Sequence, residues 1–92
     1  MSYTLVFTES YNKRAKPFLR KHPELINQYS KTLQLLELNP SHPSLRLHHL
    51  KGHLSALHSV SINISYRLTI ELLIEEDEII PVNVGTHDEI YR

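Results

Sequence analysis

The chain has 92 residues, no cysteine, and ten basic residues against ten acidic ones. This length allows one hydrophobic core, so we expect a single domain over residues 1–92. The lack of cysteine excludes disulfide bonds and thiolate metal sites, and there is no apolar run long enough to cross a bilayer. The N-terminus has no signal-peptide pattern, so the sequence predicts a soluble protein of the cytoplasm.

Charge is divided unequally along the chain. Residues 1–53 contain eight Lys and Arg against three Glu, a net charge of +5, whereas residues 54–92 contain two against seven, a net charge of −5. A basic surface of this kind can bind phosphate groups, but the charge alone fits an ordinary solvated helix face equally well.

The first half of the chain predicts a strand followed by two helices. Residues 3–7 have the composition of a strand, and Thr8 or Ser10 can cap a helix over residues 9–21, which Pro17 should kink. The sequence His-Pro-Glu at 22–24 favours the start of a second helix that ends near residue 38. Two helices joined in this way form an antiparallel helical hairpin. The helical residues expected in the core are Tyr11, Ala15, Phe18, Leu19, Leu25, Ile26, Tyr29, Leu33 and Leu36.

Residues 45–62 predict two strands. Leu45 and Leu47 alternate with Arg46 and His48 in a strand that ends at residues 51–52, and residues 56–62 form the next strand. His48 and His49 cannot chelate a metal together on one strand face, because successive side chains point in opposite directions. His58 follows the apolar phase of its strand, so we assign it to the structure rather than to a site.

Residues 66–84 predict an antiparallel hairpin. Residues 66–74 alternate between apolar and polar, and an acidic turn near residues 76–77 leads to a second alternation that ends at Gly85. In this second strand, Ile80, Val82 and Val84 are expected to face the core. Pro81 lacks a backbone N–H, so it should occupy a bulge or an unpaired side of the strand.

Together these elements predict an α+β fold: an N-terminal strand, a helical hairpin, and then three to four antiparallel strands with the helices on one face of the sheet. The other face is polar and uncovered, and we call it the open face. The residues assigned to the open face or its rim are Arg46, His48, Ser59, Ser61, Arg67, Thr69, Glu71 and His87.

The chemistry of the open face points to phosphate. Pairing around the acidic turn brings Arg67 and His87 to one end of the sheet. An arginine there can bind a planar anion, and a nearby histidine can transfer a proton at neutral pH. The pair fits RNA cleavage without a metal or other cofactor. Two plainer roles stay open: Arg67 pairs with Glu71 or Asp88, and His87 caps a turn.

Several ordered motifs resemble one known family. They are HPEL at 22–25, NPxHPSL at 39–45, LHxLKG at 47–52, SxSIxxSYR at 59–67 and GTHDEIY at 85–91. From end to end the chain resembles the RelE/ParE superfamily of bacterial toxins, and most of all its RelE/StbE branch. The resemblance implies a toxin that enters the ribosomal decoding site and cuts messenger RNA there. It also implies a cognate antitoxin that covers the toxin, and binding to operator DNA through that complex.

The resemblance also implies roles for single residues. Arg67 would contact the scissile phosphate, and His87 and His48 would transfer protons. The resemblance also implies that Tyr91 stacks on a base of the substrate. Arg46, Ser59 and Ser61 are assigned to substrate binding because of their place on the open face.

Two features separate this chain from the most active relatives. Those relatives are strongly basic and place lysine or histidine where this chain has Ser59 and Ser61. Two alternatives to the nuclease therefore stay open: a ParE-like inhibitor of DNA gyrase, and a weakly active toxin that mainly binds its antitoxin.

Overall fold

The computed structural model describes residues 2–90, and in this part of the chain one five-stranded sheet is packed against two long helices. The predicted α+β fold is confirmed. The elements are β1 (Thr4–Leu5), α1 (Glu9–Lys21), α2 (Ile26–Leu38), β2 (His48–His49), β3 (His58–Ser61), β4 (Tyr66–Leu73), β5 (Glu78–Thr86) and α3 (His87–Ile90), with 3₁₀ turns at Pro23–Leu25, Pro43–Leu45 and Gly52–Leu54. Across residues 2–90, no helix has the length and apolar character that crossing a membrane requires.

The helical hairpin begins and turns where the sequence predicts. Thr8 caps α1, and its Oγ1 accepts a hydrogen bond from the Tyr11 N–H at 3.1 Å. The predicted burial of Ile26 is wrong, since 45% of this residue is exposed. The 3₁₀ turn before α2 sets the phase of the helix so that Leu25 faces the core and its neighbour Ile26 faces outward.

The sheet has the strand order β1-β5-β4-β3-β2, in which β1 is parallel to β5 and the other neighbours are antiparallel. Residues directly opposite each other point to the same face. Arg67 on β4 lies opposite Ser61 on β3 and Gly85 on β5. Ser59 on β3 lies opposite His48 on β2, so His48 and Ser59 share one face of the sheet.

The second strand is much shorter than predicted. A strand from Leu45 onward is wrong, because Pro43 starts a 3₁₀ turn that Leu45 ends, and Arg46 then adopts the left-handed conformation with φ of 49°. A residue with positive φ cannot continue an extended strand. Arg46 therefore lies in a turn at the edge of the sheet, and β2 is reduced to His48–His49.

The buried positions of β5 change phase within the strand. Ile79, Pro81 and Val84 are buried, so the predicted core positions Ile80 and Val82 are wrong. The register passes from Thr69 opposite Asn83 to Ile70 opposite Pro81, which leaves Val82 as an extra residue. One extra residue reverses the alternation of the strand. The extra residue is Val82, the neighbour of Pro81, whereas Pro81 itself lies opposite Ile70.

Candidate functional site

The side chain of Arg67 is fixed on the face of the sheet that the helices leave uncovered. Its Nε donates a hydrogen bond to the Oγ of Ser59 at 3.1 Å, and its Nη2 donates to the backbone carbonyl of Arg46 at 2.9 Å. Ser59 is fully buried. The guanidinium therefore extends from β4 across β3, toward the edge of the sheet formed by β2.

The turn before β2 makes the second of these bonds possible. Arg46 follows the 3₁₀ turn Pro43–Leu45 and its N–H donates to the Pro43 carbonyl at 3.2 Å. Its left-handed conformation reverses the chain direction, so that the Arg46 carbonyl accepts from Arg67, a residue 21 positions away. Such strained conformations of residues other than glycine cost about 1 kcal/mol or more and gather at functional sites.

An arginine carries five N–H donors, and two of those in Arg67 are bonded to Ser59 and Arg46. The other N–H groups are on Nη1 and Nη2, which can form paired hydrogen bonds with a phosphate or carboxylate. The neighbouring carboxylates Glu71 and Asp88 are not the partners of these two bonds. Arg67 is thus a fixed cation on the open face whose other N–H groups can donate to a ligand.

His48 lies beside this cation on the open face. It is exposed and is opposite Ser59 in the β2–β3 pair, and Ser59 is the residue that Arg67 covers. A neutral imidazole at this place can accept a proton and a charged one can donate a proton. The register therefore brings His48 and Arg67 to one patch of the sheet.

His49 and His58 lie on the other face of the same strand pair. Their rings stack with centroids 4.7 Å apart and planes 18° apart, and the His49 Nε2 is hydrogen-bonded to the Ser55 carbonyl. Burial, and then the nearby His49, lower the pKa of His58, whose Nδ1 is buried without a hydrogen-bond partner among residues 2–90. His58 thus packs against His49, in agreement with its predicted structural role.

His87 begins α3 directly after β5. Thr86 and Glu89 form a capping box: the Thr86 Oγ1 accepts from the Glu89 N–H at 3.2 Å, and the Glu89 Oε1 accepts from the Thr86 N–H at 2.9 Å. His87 is exposed, and its Nδ1 lies 3.9 Å from the Asp88 Oδ1. This exposed imidazole stands two residues beyond Gly85, the cross-strand partner of Arg67.

His48 and His87 belong to parts of the chain on opposite sides of β4 in the strand order. His48 is on β2, two strands from Arg67 in one direction, and His87 follows β5, the adjacent strand in the other direction. The guanidinium itself is turned toward the β2 side by its bonds to Ser59 and Arg46. The predicted meeting of Arg67 with His87 at one end of the sheet holds for the backbone register, whereas the Arg67 side chain extends the other way.

The remaining predicted residues lie around this patch. Arg46 and Ser61 line a cavity of about 250 Å³ at the edge of the sheet, whose other lining residues are Ser44, Ile62, Asn63 and Ile64. The Ser61 Oγ donates to the Asn63 carbonyl at 2.8 Å. Tyr91 lies outside the described residues. Among residues 2–90, no three His, Asp or Glu side chains are placed to hold a metal ion.

Sequence reasoning did not identify the backbone of Arg46 as part of the site. It had placed Arg46 in a strand, where the carbonyl would take part in the ladder. The signal that was available is Pro43, because proline at the first position of a short helical turn argues against an extended strand there.

Comparison with known proteins gives structural likeness at low sequence identity. No family model matches the sequence, and no curated protein matches it. Among solved structures, the DinJ-YafQ toxin-antitoxin complex of E. coli aligns over 100% of both chains with a TM-score of 0.77 and 17% identity. A YoeB/ParE toxin from Agrobacterium tumefaciens covers 91% of this chain and 98% of its own, with a TM-score of 0.72 and 15% identity.

A third similar structure is the toxin-antitoxin complex RelBE2 from Mycobacterium tuberculosis. It covers 95% of this chain and 100% of its own, with a TM-score of 0.66 and 22% identity. At such identities the likeness establishes the fold over nearly the whole length of each chain.

Proposed function

We propose that this chain, which has the fold of the RelE/ParE toxin superfamily, is the toxin of a toxin-antitoxin module and cuts messenger RNA in the ribosomal decoding site. The observation that carries the proposal is the guanidinium of Arg67, held by Ser59 and Arg46 on an uncovered sheet face with N–H donors to spare. A fixed donor group of this kind stabilises charge that develops on a phosphate in the transition state.

The reaction is an attack of the ribose 2′-OH on the adjacent phosphorus. A base removes the 2′-OH proton, the new O2′–P bond forms, the P–O5′ bond breaks, and an acid gives a proton to the leaving 5′-oxygen. The products are a 2′,3′-cyclic phosphate and a 5′-hydroxyl. Arg67 neutralises the additional charge on the two non-bridging oxygens of the pentavalent phosphate.

In-line attack requires the base and the acid on opposite sides of the phosphorus, because the entering and leaving oxygens are collinear with it. His48 belongs to β2 and His87 follows β5, and these two strands stand on opposite sides of β4 in the strand order. In this proposal, His48 would approach a phosphate at the Arg67 guanidinium from the β2 side, and His87 would approach it from the β5 side. One would act as base and the other as acid, and all proton transfers are then made by the protein without a metal ion.

The flanking RNA would follow the basic edge of the sheet. The side chain of Arg46 and the hydroxyl of Ser61 line a cavity of about 250 Å³ beside the Arg67 guanidinium, where a neighbouring phosphate or ribose can bind. The sequence assigns base stacking to Tyr91. Ser59 has no exposed surface, so its part in this site is to hold Arg67.

The partners follow from the same proposal. The similar structures from E. coli and M. tuberculosis are complexes of a toxin with its antitoxin. We assign this chain a cognate antitoxin that covers the open face, with the ribosome and messenger RNA as its targets when the antitoxin is absent. The complex with the antitoxin would bind operator DNA.

Cleavage of a translated message tests the proposal. The purified chain is added to a translation reaction with stalled ribosomes, and the RNA ends are mapped with and without ribosomes. We expect cuts within the decoding-site codon that leave a 2′,3′-cyclic phosphate. If the message stays intact and DNA gyrase is inhibited, the chain is a gyrase inhibitor and not a nuclease. If the message stays intact and gyrase is unimpaired, the chain mainly binds its antitoxin.

A further inference from the structure

We propose that Ser59 and the Arg46 peptide group are positioning residues, which together hold the Arg67 guanidinium in the orientation that receives a phosphate. This inference rests on the proposed function and adds to it two groups that act through Arg67 rather than on the substrate. It also changes the part of Ser59, which the sequence alone assigns to substrate binding.

Burial excludes direct contact between Ser59 and a ligand. Ser59 has 0% of its surface exposed, and its Oγ lies 3.1 Å from the Arg67 Nε. The arginine side chain covers the serine on the open face. A hydroxyl in this position can influence the reaction through the arginine that bonds to it, and its loss leaves a buried N–H without an acceptor.

The hydrogen bond to the Arg46 carbonyl fixes the plane of the guanidinium. One hydrogen bond leaves a planar group free to rotate about it, whereas two bonds to acceptors on different segments define its plane. Ser59 lies on β3 and Arg46 lies in the turn before β2, so Nε and Nη2 are bonded to separate parts of the chain. The two acceptors occupy the Nε and one side of Nη2, and the Nη1 side is left for the substrate.

Fixing the guanidinium before the substrate binds benefits catalysis more than binding. A mobile arginine can still attract a phosphate, but it must lose side-chain freedom when it takes up its working geometry. Donors that are already oriented need no reorganisation as charge develops. Loss of the Ser59 hydroxyl should therefore lower kcat and leave KM nearly unchanged.

The test compares Ser59→Ala with Ser59→Thr, which restores an acceptor oxygen at the same position. The matched control is Thr32→Val: Thr32 is also buried, and its Oγ1 donates to the Gln28 carbonyl within α2, away from the open face. Two measurements are made on each full-length variant. One is the hydrogen-exchange rate of the Arg67 Nε–H by NMR, and the other is kcat and KM for cleavage of a ribosome-bound message.

For Ser59→Ala we expect faster exchange of the Arg67 Nε–H and a kcat at least about tenfold lower at nearly constant KM. We expect Ser59→Thr to recover both quantities, and Thr32→Val to change only the stability. The inference is overturned if Ser59→Ala keeps the wild-type kcat, or if kcat falls while the Nε–H exchange stays as in the wild type.

The two measurements separate this inference from the proposed function. If the wild-type chain leaves every message intact, both the proposed nuclease function and the positioning role are contradicted, even if the Nε–H exchange confirms the hydrogen bond. A wild-type chain that cuts RNA, with no effect of Ser59→Ala on kcat, removes the positioning role alone.

Discussion

The Arg67 Nε lies 3.1 Å from the Oγ of Ser59, so this arginine of β4 is bonded to a side chain with no exposed surface. The serine is eight residues earlier in the chain, on the neighbouring strand. This contact and the bond to the Arg46 carbonyl turn the guanidinium toward the β2 edge. Arg67 is partly buried, and neither of these two bonds goes to a carboxylate, so the rest of its guanidinium is available to an anionic substrate.

Replacement of Arg67 by lysine should abolish most of the activity although the charge is kept. Lysine is a point charge and cannot bond to Ser59 and Arg46 while it also contacts a phosphate. We expect Arg67→Lys and Arg67→Ala both to lower the cleavage rate by about 100-fold or more. Arg20→Ala, on the exposed surface of α1, is the control for a lost positive charge. A fully active Arg67→Lys variant would contradict a role for the fork-shaped guanidinium.

Loss of either flanking histidine should change the pH dependence of cleavage as well as its rate. If His48 and His87 serve as base and acid, each of His48→Gln and His87→Gln lowers the rate by roughly 10²- to 10⁴-fold and removes one limb of the pH–rate profile. His53→Gln, an exposed histidine of the 52–54 turn, is the control. Unaltered profiles in both variants would exclude proton transfer by these residues.

The capping box at the start of α3 should stabilise the end of the sheet. Thr86→Ala removes the oxygen that accepts from the Glu89 N–H, and we expect a loss of about 1 kcal/mol in the free energy of unfolding. Thr86→Ser keeps the oxygen and should recover most of the loss. Urea unfolding followed by circular dichroism measures both, and equal stability of Thr86→Ala and wild type would indicate that the capping box contributes little.

Because Arg46 has the left-handed conformation, we expect the stability of the protein to depend strongly on which residue occupies position 46. Glycine adopts a φ of 49° without strain, whereas a β-branched residue does not. We expect Arg46→Gly to be at least as stable as the wild type, and Arg46→Val to be less stable by about 1 kcal/mol or more. Unfolding curves in guanidinium chloride measure the stability of the two variants. A Val variant as stable as the Gly variant would contradict the turn geometry.

The stacked pair of His49 and His58 predicts acid sensitivity. Burial, and then the nearby His49, lower the pKa of His58 in the folded chain, so the unfolded chain binds a proton on this residue more readily. The stabilising effect of neutral His58 is present above the unfolded pKa of about 6.5 and is lost as pH falls through it toward the folded value.

We expect the free energy of unfolding to fall between pH 7.5 and 5, and to fall less in His58→Phe, which keeps a ring against His49 but cannot bind a proton. Urea unfolding at closely spaced pH values measures the difference. Equal pH dependence in the two proteins would show that other groups govern the acid sensitivity.

Local signals in the sequence were sufficient for most elements and for the general form of the fold. The helix cap at Thr8, one of two predicted candidates, the His-Pro-Glu break between the helices and the alternation on β4 each depend on a few neighbouring residues, and the structure contains all three. The polar face of the sheet followed from the same alternation.

Contacts between distant residues decided the rest. The phase of β5 depends on a one-residue bulge against β4, the length of β2 depends on the left-handed turn at Arg46, and the direction of the Arg67 side chain depends on acceptors 8 and 21 residues away. A periodic pattern assigns a side chain to a face of the sheet but does not fix its direction within that face. That direction is set by hydrogen-bond partners which meet only after the strands have paired, so only the tertiary structure could reveal the support beneath Arg67.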